Sequence, residues 1–90
     1  MTSLETVILT CRECAFFSQL SDTVKQSQLL TEADRKLFED MWAAAVDIEN
    51  WRQYDLILGC KNTQHRLREE FGFTDEAIAI FVRFASYDWR

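Results

Sequence analysis

Ala77-Ile78-Ala79-Ile80-Phe81-Val82-Arg83-Phe84-Ala85 carries a single charge and is apolar almost all the way round a helix. Ile78, Phe81, Val82 and Ala85 fall on one face at helical spacing, and Ala77, Ile80, Phe84 and Tyr87 on another. A helix that is apolar on every side is buried on every side. The segment is therefore either the central helix of a bundle or a helix whose second face meets another chain. Thr74 supplies its N-cap, and Asp75 and Glu76 put negative charge in the first turn, where the helix dipole favours it.

Upstream, Gly72 followed by Phe73 has the pattern of a helix ended by a left-handed glycine. It closes a helix striped by Leu56, Cys60, Thr63, Leu67 and Phe71. Asn50, with Gln53 three residues on, has the spacing of a capping box, which favours a break near Asn50 over a helix running through to Gly59. Thr31 before Glu32-Ala33-Asp34 is the clearest helix start in the chain. From there Ala33, Leu37, Met41, Ala44, Ile48 and Trp51 recur at steps of three and four. The first helix is capped by Ser3 and striped by Leu4, Val7, Ile8, Cys11, Cys14 and Ala15. Phe16, Phe17, Leu20 and Val24 carry apolar character onward. The residues leave open whether this helix breaks near Ser21-Asp22 or runs to about Gln28.

Composition points the same way. The 90 residues are 48% hydrophobic and 13% aromatic, with no proline and only Gly59 and Gly72 as glycines. Hairpins and sheets are punctuated by proline and glycine, so their scarcity argues for helices joined by short turns. The expected architecture is all-α: a compact bundle of four helices, five if the first one breaks, forming a single domain over residues 1–90.

The net charge of −5 disfavours nucleic acid, whose affinity for proteins comes largely from lysine and arginine on phosphate, and equally an anionic membrane surface. No run approaches the roughly 18 apolar residues of a membrane span. The start of the chain lacks a basic n-region, and Val7-Ile8-Leu9 is too short for a signal core. Three cysteines cannot all pair within the chain, so free thiols and a cytoplasmic setting are expected.

Catalytic chemistry finds little to stand on. His65 has no nucleophile at a defining spacing, and Glu39-Asp40 and Glu69-Glu70 are adjacent pairs whose side chains diverge on a helix. Cys11-Arg12-Glu13-Cys14 is a C-x-x-C, the spacing at which two thiolates share a tetrahedral zinc ion. The remaining ligands would have to be Cys60 and His65, which converge poorly on one helix. The plainer reading of Cys11 and Cys14 is as small hydrophobes facing the core.

More informative is the combination of tryptophans with one-sided charge. Residues 31–55 hold seven carboxylates (Glu32, Asp34, Glu39, Asp40, Asp47, Glu49, Asp55) against Arg35, Lys36 and Arg52. Aromatic residues are enriched at binding hot spots. The sequence is accordingly read as a non-enzymatic interaction protein (a regulator, inhibitor or adaptor) that needs no cofactor and acts on a protein partner, one with a basic surface, as a homodimer. The expected contact residues are Ile80, Phe84, Tyr87, Trp89 and Trp42, with Glu39, Asp40 and Asp47 steering the partner. The rival reading is a zinc-binding or thiol redox-responsive domain built on Cys11, Cys14 and Cys60.

Overall fold

All but one of the helices among the described residues start where a short polar side chain can satisfy free backbone N–H groups. The computed structural model describes residues 2–52 and 55–88. Its elements are α1 (Ser3–Thr10), α2 (Phe17–Gln26), α3 (Glu32–Ala45), the single turn α4 (Ile48–Trp51), α5 (Leu56–Phe71) and α6 (Asp75–Asp88), with no strand among the described residues. Thr2 rather than Ser3 caps α1, in a box with Glu5. Thr31 caps α3 in a box with Asp34, Asp47 caps α4, and Asp55 caps α5. The Thr74 hydroxyl accepts from Ala77 N at the head of α6. Gly72 ends α5 at φ 66°, and its N–H donates to the Arg68 carbonyl. This is the left-handed stop that the glycine signalled.

Two helix ends fall away from the positions the sequence suggested. The first helix stops at Thr10, well before Ser21, and the C-x-x-C forms the turn that follows. Helix α3 ends before Asp47 rather than at Asn50. Asn50 does not cap forward; its Nδ2 donates back to the carbonyls of Ala44 (2.6 Å) and Ala45 (3.3 Å), satisfying the free C-terminal end of α3. Trp51 Nε1 donates to the same Ala45 carbonyl at 2.9 Å. The restart at Asp47 shifts the helical phase. Ile48, expected on the buried stripe, is therefore exposed; within α3 itself, ahead of the restart, Phe38 is core although that stripe left it out. Gln53, the other half of the expected box, lies outside the described residues.

Helix α6 is the central element, packed on α1, α3 and α5. Ala77, Ile78, Phe81 and Ala85 are wholly buried, and so are Leu4, Ile8, Leu20, Met41 and Leu67 around them to within 1%. Burying a side chain of this size contributes roughly 1.5–3 kcal/mol. The second apolar face of α6 is buried too: Ile80 and Phe84 are 5% and 3% exposed. The chain thus covers by itself most of the face that the sequence left open to a neighbour, and Tyr87 at its end stays exposed. No helix among the described residues is long and apolar enough to cross a membrane.

Candidate protein-docking surface

The C-x-x-C turn leads straight into Phe16 and Phe17. Phe16 occupies the N-cap of α2, a position that favours serine, threonine, aspartate or asparagine, and its side chain offers no acceptor. Gln19 compensates from within the helix: its Oε1 accepts from Ala15 N (2.9 Å) and Phe16 N (3.0 Å). The ring of Phe16 is left 68% exposed.

Phe17 turns inward. Its ring stacks on Trp42 with centroids 3.8 Å apart and planes at 14°, lies parallel to Phe38 at 5.9 Å, and meets the edge of Phe84 at 6.0 Å. Phe81 joins beneath, 5.5 Å from Phe38 and 6.5 Å from Trp42. Five rings from α2, α3 and α6 therefore form one cluster that runs from the core to the surface. Its outer end is the half-buried Phe17–Trp42 stack.

A cleft opens on each side of that stack. One, of about 240 Å³, is lined by Ala15, Phe16, Phe17, Trp42, Phe84, Tyr87 and Asp88. The other, of about 260 Å³, runs between α2 and α3 past Phe38 and Glu39, with Lys25 and Arg35 also on its wall. Tyr87, 49% exposed, and Phe16 flank the first cleft.

The expected contact residues therefore divide. Trp42 and Tyr87 lie together on this face. Ile80 and Phe84, 5% and 3% exposed, do not belong to an exposed surface; Phe84 reaches the cleft only as its floor. Trp89 lies outside the described residues. Phe16 and Phe17, which sequence reasoning took merely as apolar continuation, are the residues it missed. The signal was present in an aromatic pair directly after a turn, with glutamine three residues beyond.

The acidic face also changes meaning. Glu32 pairs with Arg35, Asp40 with Lys36 at 2.7 Å, and Glu49 with Arg52. Asp34 accepts from Thr31 N, and Asp55 from Leu58 N. Asp47 caps α4 through Glu49 N and pairs with Arg66 at 2.9 Å; those two contacts hold its carboxyl below the ordinary range. Six of the seven carboxylates in residues 31–55 are thus engaged by caps or ion pairs. Among the described residues Glu39 is exposed and has no such partner. Asp40 and Asp47, expected to steer a partner, are paired with Lys36 and Arg66 within the chain.

The cysteines separate into a pair and a single residue. Cys11 is buried with its thiol donating to Thr23 Oγ1 at 3.5 Å, and Cys14 is half-buried beside it. Cys60 lies on α5, in an apolar groove of about 440 Å³ shared with Leu56, Ile57, Ala79 and Val82. His65 is exposed on α5. Among the described residues no three histidine, cysteine or acidic side chains come together as metal ligands would. The chain matches no protein-family model, no curated protein and no solved structure.

Proposed function

We propose that the protein is a non-enzymatic docking module, which engages another protein through Phe16, Phe17, Trp42 and Tyr87. The observation that carries the reading is the exposed pair Phe16 and Tyr87 around the Phe17–Trp42 stack, with a cleft on either side. Local chemistry is broken there, since an aromatic ring takes a cap position that a small polar residue would fill better, and such departures concentrate at functional sites. Among the described residues, Asp88 is the charged side chain on the wall of the cleft beside Tyr87. Rings with a carboxylate at their edge suit a lysine or arginine side chain, through cation–π contact and charge. A basic partner segment is the chemistry that fits. The reading does not need a homodimer, because Ile80 and Phe84 of the apolar face that suggested one are covered within the chain.

The test is photocrosslinking from residue 16. Benzoylphenylalanine at Phe16 should give a discrete adduct in the native cell extract, mapping to a lysine- or arginine-containing segment of one protein. The same probe at Ile57, in the α5–α6 groove, should not give that adduct. Phe16→Ser should weaken the complex at least about tenfold, as loss of a hot-spot residue does. Equal labelling from both positions, or full binding by Phe16→Ser, would overturn the reading.

A further inference from the structure

We propose that Cys11 and Cys14 form a thiol–disulfide site, closing an intraloop disulfide by exchange with a low-molecular-weight disulfide. The backbone N–H of Cys14 donates to the Cys11 carbonyl at 3.1 Å, so the two residues are the ends of one turn. Such a turn holds its end Cα atoms within about 7 Å, close to the roughly 4.4–6.8 Å that a disulfide spans. The two thiols are neighbours across this turn. Their mutual hydrogen bond, with burial and the neighbouring Cys11 charge, pushes the Cys14 thiol up, against the pull of Arg83. Cys60 belongs to a separate groove.

The order of events follows exposure. Cys14, the more accessible thiol, loses its proton and attacks the small disulfide; a Cys14–S–S–R bond forms and one RS⁻ leaves, taking up a proton. Cys11, 3% exposed, then loses its proton and attacks Cys14 Sγ, which breaks the mixed disulfide and expels the second RS⁻. Two thiols of the protein are oxidised and the small disulfide is reduced to two thiols. Because the thiolate is the nucleophile, the raised Cys14 pKa makes the exchange quicken as pH rises through and beyond the ordinary thiol range.

The loop has a mechanical connection to the surface described above. Arg83 of α6 donates to the carbonyls of Arg12 (2.7 Å) and Cys14 (2.9 Å), and Phe16 follows Cys14 by two residues. Closing the disulfide reshapes the segment that positions Phe16. This regulatory consequence rests on the docking reading, whereas the disulfide does not.

The test treats the reduced chain with oxidised glutathione at graded ratios, then alkylates free thiols and maps peptides by mass spectrometry. The expected result is loss of two hydrogens, a peptide joining Cys11 to Cys14, and an alkylated Cys60. Cys60→Ser should behave identically, and Cys11→Ser should stop at a glutathione adduct on Cys14. A chain that stays folded by circular dichroism yet never links Cys11 to Cys14, or links either to Cys60, would overturn the site. The amide resonances of Phe16 and Phe17 should shift on oxidation. A disulfide that leaves them unmoved overturns the coupling alone, and failure of the Phe16 crosslink leaves the disulfide standing.

Discussion

Glu5 Oε2 accepts a hydrogen bond of 3.0 Å from the backbone N–H of Thr74, so a side chain of α1 serves the head of α6. Its other oxygen accepts from Thr2 N and Thr2 Oγ1, at 3.4 and 3.3 Å. One buried carboxylate thus satisfies the N-termini of two helices, where the dipoles favour negative charge. Burial pushes this carboxyl up, and the hydrogen bonds from Thr74 and Thr2 outweigh it, holding it below its ordinary 4.5. Glu5→Gln should therefore lose about 1–3 kcal/mol at neutral pH. A carboxyl depressed in the folded state contributes stability above its unfolded value and loses it as pH falls through the folded one. Urea titrations of both proteins should accordingly converge as pH drops below 4.5. A gap that stays constant there would contradict the role assigned to Glu5.

Gly59 lies against the ring of Trp51. A Cβ at this position would overlap Trp51 Cε3 and sit 2.6 Å from Cζ3. Alanine is the better helix former by about 1 kcal/mol, yet overpacking a buried ring typically costs about 1–3 kcal/mol. The clash should win. Gly59→Ala is expected to lower the melting temperature, and a more stable variant would show that Trp51 can move aside.

Phe16 and Phe17 are neighbours with opposite energetic roles. Phe16 is 68% exposed at an N-cap, so Phe16→Ser should not destabilise and should gain about 0.5–1 kcal/mol from the serine cap. Phe17 holds three ring contacts, and Phe17→Ala should cost about 2–4 kcal/mol, near the lower range for a buried aromatic. Chemical denaturation of the two variants measures both. Equal losses would mean that Phe16 is a packing residue and not a surface one.

Arg83 presents two donors to two carbonyls while its guanidinium lies 4.8 Å from the centroid of the Phe84 ring. Lysine keeps the charge but loses the planar fork. Arg83→Lys should destabilise by about 1–2 kcal/mol and speed amide exchange at residues 12–16 above the rest of the chain. Uniform protection would show that the loop holds its shape without the clamp.

What could be read from the residues was what depends on near neighbours. Thr31 with Asp34, Gly72 and Thr74 are local signals, and each marks a real helix end. The core faces of α1 and α6 were legible because their periodicity is unbroken. The α3 face was not, because a stripe drawn through Ile48 assumes that no break resets the phase at Asp47. Asn50 illustrates the difficulty: its spacing suits a forward cap, and only the fold brings the Ala44 and Ala45 carbonyls within its reach. The stop after Thr10 has the same character, since the turn that follows is held by Arg83, some seventy residues downstream. Of the contact residues expected from residue type, Trp42 and Tyr87 lie at the candidate surface. Ile80 and Phe84 were misplaced because the capacity of one chain to cover both faces of a helix is a property of the assembled bundle.

The face around the Phe17–Trp42 stack is assembled from the start of α2, the middle of α3 and the end of α6. No continuous stretch of the chain contains it. In immunological terms it is a discontinuous epitope: an antibody raised against this face of the folded protein would fail on a denaturing blot. A synthetic peptide copied from any one of the three helices would not compete with the whole molecule.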